Sequence, residues 1–160
     1  MADPKETYVY IQLNGEFVPA GLLGMRGQGR ESSAVFEYGS KYLQRPNAIS
    51  IDPVLLPLQK GRFFTRVGWK MLFGGIRDAS PDDWGRHILD TLKEDKSLTE
   101  YDYLTASNDD RVGALAFGPD LSGPERVFPF HVSGQDLHGE TLNLEQMIHL
   151  SDAIESTSKR

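Results

Sequence analysis

Acidic side chains are the groups in this sequence best placed to do chemistry: Asp78, Asp82 and Asp83 lie close together, and Asp109 and Asp110 are adjacent. Paired carboxylates can serve acid–base catalysis or hold Mg²⁺ through hard oxygen ligands. The surrounding residues supply a plainer use for each. Asp82 and Asp83 follow Ser80 and Pro81 at an expected helix start, where negative charge complements the positive end of the helix dipole. Asp109 and Asp110 stand in a polar turn before an expected strand. A small-molecule- or metal-binding hydrolytic domain using the acidic loops near Asp78 and Asp109 is therefore the alternative function, behind a noncatalytic one.

Other chemistries find less support. The chain has no cysteine, which excludes disulfides, thiolate metal sites and thiol nucleophiles and fits a reducing cytoplasm. The histidines His87, His131, His138 and His149 are scattered, without a second ligand at helical or hairpin spacing, so no metal site is expected. Gly27-Gln-Gly-Arg-Glu-Ser32 begins like a phosphate loop but lacks the third glycine and the Gly-Lys-Ser/Thr ending. No Gly-x-Ser-x-Gly elbow and no kinase catalytic loop appears. With 160 residues, 39% of them apolar, the chain is long enough for one cored domain and too short for a regulatory domain plus a kinase. A formal charge of −6 opposes direct binding to nucleic acid or to an anionic membrane, and no apolar run is long enough to span a bilayer.

The elements that must position these residues begin with Tyr8–Leu13 and Glu16–Val18, β-rich segments joined by Asn14-Gly15, which suits a type I′ hairpin turn. Pro19 is expected at the end or edge of the second strand, followed by a glycine-rich connection over 24–31. Ser33–Tyr38 is a third expected strand, with Phe36 and Tyr38 opposite Val35 and Glu37. Pro46, Pro53 and Pro57 forbid a long helix there, and Ile49 and Ile51 suggest a short strand. A helix follows, with Ser80 as N-cap, Pro81 in its first turn, and Trp84, Ile88, Leu89 and Leu92 on one stripe. Thr99 caps a second helix with Tyr101 and Leu104 inward. Residues 113–117 and 126–130 are late strands that would help close the sheet, and Asn143 with Gln146 opens a terminal helix reaching about 155. The fold class is α+β: a mainly antiparallel, partly closed sheet with a few short helices and a C-terminal helix.

Recognition residues stand out more than catalytic ones. Arg77, Trp84, Gly85 and Arg86 crowd a helix start, and aromatic and arginine side chains dominate interface energies because they join large apolar area to fixed donors. The structural alternative places Trp84 in the core and pairs Arg86 with an acid. Trp69 and Phe73 pose the same choice. In Arg111-Val112-Gly113 the arginine can anchor a loop and the glycine can permit close backbone approach.

Two motifs give these residues a family context: Asp78-Ala-Ser-Pro-Asp-Asp-Trp-Gly-Arg86 and Asp110-Arg-Val-Gly-Ala-Leu115. With the hairpin over 8–23, Phe36-Glu-Tyr-Gly-Ser-Lys-Tyr42 and the run from Ile49 to Leu58, they resemble the N-terminal subdomain of HipA-like toxin kinases. The first motif resembles the family's Asp-Ser-x-Pro-Asp-x-Trp-Gly-Arg, with an inserted alanine; the second matches Asp-Arg-x-Gly-Ala-Leu cleanly. The resemblance implies a bacterial, cytoplasmic module of a toxin–antitoxin system tied to persistence. In that family a β-rich subdomain packs on a serine/threonine kinase core, and ATP and Mg²⁺ belong to that core. It implies no catalytic, cofactor or metal residue in this chain. Residues 1–142 would form the β-rich subdomain and 143–160 a terminal helix and tail leading toward a kinase core. The chain would be either the N-terminal part of a kinase toxin or a free-standing HipS-like antitoxin. A kinase core in cis or in trans is the expected partner, and a HipB-like DNA-binding antitoxin is a second one. Arg77, Trp84, Arg86, Met147 and Ile148 form the expected interface; Asp78, Ser80, Pro81, Gly85, Arg111 and Gly113 are expected to shape the motif.

Overall fold

A computed structural model describes residues 5–27, 32–66, 72–92, 98–106, 113–124, 131–132 and 135–136. Alternating apolar residues build its first hairpin, β1 (Lys5–Leu13) and β2 (Glu16–Arg26). Asn14 and Gly15 join them with φ of 52° and 87°, both positive as a type I′ turn demands. β2 runs further than the sequence suggests, since Gly24 and Met25 remain paired to β1, and Gly24–Arg26 to β3 (Ser33–Tyr38). Pro19 lies inside β2 rather than at its end. The ladder slips there, with Tyr10 opposite Pro19 and Val9 opposite Gly21. Pairing to β3 begins only at Gly21, so this bulge places the missing N–H where no neighbour needs it.

Three-residue β4 (Arg62–Phe64) extends the sheet beyond β3, and β5 (Leu115–Gly118) pairs with β1. The order is β4-β3-β2-β1-β5, antiparallel throughout. The expected partial closure is not found among the described residues: β4 and β5 lie at opposite edges, so the five strands form an open sheet. The late strand expected over 126–130 and the terminal helix lie outside the described residues. A two-residue pair, β6 (His131–Val132) with β7 (Gln135–Asp136), is separate from the main sheet.

Among the described residues the sheet is accompanied by four helices. These are α1 (Ser40–Leu43), α2 (Gly74–Arg77), α3 (Asp83–Leu92) and α4 (Glu100–Ala106). The core joins Val9, Ile11, Leu23 and Phe36 of the sheet to Tyr42, Ile76 and Leu104 of the helices. Thr99 caps α4 as expected: its Oγ1 accepts from the Asp102 N–H at 3.3 Å, while Asp102 accepts from the Thr99 N–H at 2.8 Å. The strand expected at Ile49 and Ile51 is instead a turn, in which Asp52 bridges Leu56. None of the described helices is long and apolar enough to cross a membrane.

Candidate functional site

Contacts link the separate motif segments into one support. At the end of β3, Tyr38 packs edge-on to Phe36 with 4.8 Å between ring centroids and stacks on Tyr42 at 5.8 Å. Both phenols are consumed by the neighbouring turn. Tyr38 donates to the Leu56 carbonyl at 2.7 Å and accepts from the Ile51 N–H at 3.0 Å. Tyr42 donates to the Ile49 carbonyl at 2.8 Å. Burial pushes both phenols above their ordinary pKa despite these bonds.

The turn in its turn holds α2. Asp52 Oδ1 accepts from the Val54 and Leu55 N–H groups at 3.0 and 2.9 Å, and Oδ2 accepts from the Gly75 N–H at 3.3 Å. Burial raises the carboxyl pKa, but the bonds from Leu55, Gly75 and Val54 outweigh it and leave the group below its ordinary value. Gly75 is required by space: a Cβ would stand 2.4 Å from the Ile51 carbonyl oxygen. Ile76, wholly buried, then fixes α2 against the core.

The second support lies between α3 and α4. Asp82, not Ser80, caps α3: its Oδ1 accepts from the Gly85 N–H at 2.8 Å, and its carbonyl accepts from the Arg86 N–H at 2.9 Å. An aspartate there satisfies an otherwise free donor and also places charge at the dipole's positive end. Pro81 consequently precedes the cap instead of opening the helix. A Cβ on Gly85 would approach Pro81 Cβ to 2.8 Å, so the glycine admits the proline ring. Ser80 Oγ is buried without a hydrogen-bond partner among the described residues.

Arg86 is the hub. Its guanidinium donates twice to Glu100, at 2.7 and 2.9 Å, its Nε donates to the Pro81 carbonyl at 3.2 Å, and it lies 4.6 Å from the Tyr103 ring centroid. Both members of the pair are about a quarter exposed. The bonds to Glu100 outweigh partial burial and hold the Arg86 pKa above its ordinary value. One turn along α3, Asp90 accepts from the Tyr103 hydroxyl at 2.6 Å. Burial, then that bond and the Asp90 charge, push the phenol up to about 12.

Trp84 has a different position. It is 53% exposed on the first turn of α3, beside exposed Asp82 and Asp83, and its indole makes no hydrogen bond to a described residue. The core stripe expected from its spacing therefore excludes it, while Leu89 is buried. Phe73 is core, and Trp69 lies outside the described residues. Arg77 is partly buried next to exposed Asp78, 3.8 Å away, a weak surface pair. Gly113 has φ of 127° with open space around its Cα, so backbone conformation and not close approach calls for glycine. Arg111, Asp109, Met147 and Ile148 lie outside the described residues. Among the described residues, no three His, Asp or Glu side chains converge on a metal-sized site.

The sequence alone does not single out Asp52, Glu100, Tyr103 or Asp90. Asp52-Pro53 carried a turn signal, and Arg86 and Asp90 stand four apart opposite Glu100 and Tyr103, three apart. What the sequence lacked was the knowledge that these two helices face each other.

The motifs that make up these supports fall inside a wider match. A search of curated proteins returned no match. The family model of the HipA N-terminal domain matches residues 11–118, about two thirds of the chain, from the first hairpin through β5. The chain belongs to the HipA N-terminal domain family, which is part of a family of kinase toxins in toxin–antitoxin systems.

Proposed function

We propose that this chain is a noncatalytic docking module that seats on a HipA-like serine/threonine kinase core, in cis or in trans, with Trp84 as its anchor. The carrying observation is the exposure of Trp84 at the start of α3, where the neighbouring motif residues Asp82, Gly85 and Arg86 are engaged within the chain. An aromatic side chain on a rigid mount presents large apolar area at small entropic cost, which suits a hot spot. Exposed Asp82 and Asp83 beside it favour a basic partner surface. Arg77 would lie at the rim of this contact, and Met147 and Ile148 would add an apolar face. ATP and Mg²⁺ belong to the partner kinase core. A HipB-like DNA-binding antitoxin joins the same cytoplasmic assembly, and the net charge of −6 disfavours direct contact with nucleic acid or membrane.

The role is either that of the toxin's own N-terminal subdomain or that of a HipS-like antitoxin restraining a separate kinase. Binding of the purified kinase core to this chain, measured by calorimetry, tests the proposal. Covering the exposed half of Trp84 removes roughly 100 Å² from water, about 2 to 3 kcal/mol, so Trp84→Ala should weaken Kd roughly 30- to 150-fold. An unchanged Kd with a folded variant would remove Trp84 from the interface.

A further inference from the structure

We infer that Arg86 and Glu100 are positioning residues that mount Trp84, and that neither contacts the partner; the inference builds on the docking role of Trp84. Trp84 sits in the first turn of α3, two residues before Arg86. The fork of Arg86 on Glu100 fixes that turn against α4, and its Nε bond to the Pro81 carbonyl fixes the approach to the turn. A bidentate pair resists rotation about either bond, which a single contact does not. The Tyr103–Asp90 bond adds a second rung one turn further on, so α3 is tied to α4 at two heights along one face.

α4 is itself anchored to the sheet. Leu104 is wholly buried, the Tyr101 hydroxyl donates to the Glu6 carbonyl at 2.8 Å, and Lys5 pairs with Asp102 at 2.8 Å. Restraint therefore passes from β1 through α4 and Glu100 to Arg86 and the turn bearing Trp84. Arg86 spends three of its five donors on this chain and its guanidinium lies over the Tyr103 ring, leaving it little to offer a partner. A preorganised anchor loses less freedom on binding, and this mount supplies that preorganisation.

The test reads Trp84 itself. In a Trp69→Phe background Trp84 is the sole tryptophan, so its acrylamide quenching and fluorescence anisotropy decay report its own mobility. Arg86→Ala and Glu100→Gln should each raise quenching, by about twofold for a side chain released to nanosecond motion, with the far-ultraviolet dichroism of the sheet retained. The double variant should exceed Arg86→Ala alone by nothing, because both changes break one connection. Should Arg86→Ala fail to fold, Arg86→Lys keeps the charge, loses the fork and should give the same direction of change. Unaltered quenching and anisotropy in a folded variant, or additive effects of the two changes, would overturn the mount. Kinase-core binding separates this from the docking proposal. Arg86→Ala should weaken binding when Trp84 is present and add nothing in a Trp84→Ala background. If Trp84→Ala leaves binding unchanged, docking through Trp84 fails, while the quenching still decides the mount.

Discussion

Asp52 makes a quantitative prediction about how the motif segments hold together. Its carboxylate carries three backbone bonds, two that cap its own turn and one that reaches Gly75 across to α2. Losing an aspartate cap costs about 1 kcal/mol, since freed turn N–H groups at an exposed position are recovered by water. Losing the charged bond to the half-buried Gly75 N–H costs about 1 kcal/mol more. Asp52→Ala should therefore destabilise the chain by about 2 kcal/mol at neutral pH, lowering Tm by about 4 to 8 °C for a chain of this size. Urea unfolding should give a lower midpoint with an unchanged slope, because no extra surface is exposed. The pH dependence carries a sign. The folded carboxyl titrates below the unfolded value of about 3.9, so its contribution is complete above that value and is lost as pH falls through the folded one. The gap between wild type and Asp52→Ala should then narrow in acid. A gap below about 0.5 kcal/mol at neutral pH, within the range of ordinary surface changes, would refute the linkage, as would a gap that stays constant through the acid range.

Three further outcomes follow from the same geometry. Gly75→Ala drives a methyl against the Ile51 backbone and should cost about 1 to 3 kcal/mol by urea unfolding, whereas Gly74→Ala meets only the Asp52 carboxylate at 3.2 Å and should cost less. Tyr103→Phe should remove one late tyrosinate titration near 12 from the ultraviolet absorbance curve. The wild type should lose stability relative to Tyr103→Phe as pH rises from the unfolded value of about 10 through the folded one, because the raised pKa favours the protonated folded state only below it. Gly113→Ala should destabilise through backbone strain alone, and Gly113→Asn should be no rescue, since φ of 127° lies beyond the left-handed region that asparagine tolerates.

Local chemistry made the sheet legible in the sequence, and distance hid the support. Asn14-Gly15 and the alternation on either side determine the first hairpin within a dozen residues, and Ser33–Tyr38 shows its buried and exposed faces by simple period. Pro19 departs from the expected strand end because the propensity rule describes a regular ladder, and here a bulge relieves the rule. Asp82 and not Ser80 caps α3 because serine and aspartate are comparable caps, and the choice between them turns on where the chain enters the helix. Trp84 shares the four-residue period of the core stripe but stands exposed in the first turn of α3, and period alone does not say which turn of a helix meets the core. Glu100 was invisible as a partner of Arg86 because nothing local says which of many acids a given arginine will meet.

The Trp84 motif divides its residues between two tasks. Asp82 caps, Pro81 and Gly85 pack against each other, and Arg86 clamps α3 to α4, so these side chains are occupied inside the chain. If stability were the whole purpose of the segment, the position between the cap and the clamp would suit almost any polar helix former. A tryptophan held half in solvent there exposes apolar area that folding leaves uncovered, two residues from an arginine bonded to Pro81 and Glu100. Exposed apolar area on a rigid turn is costly to leave in water and cheap to bury against another surface. The proposed docking role and simple packing differ in what they predict at this helix start: for docking on a rigid mount, substitutions at 86 or 100 should move Trp84 itself, whereas substitution of Trp84 should move only what Trp84 meets.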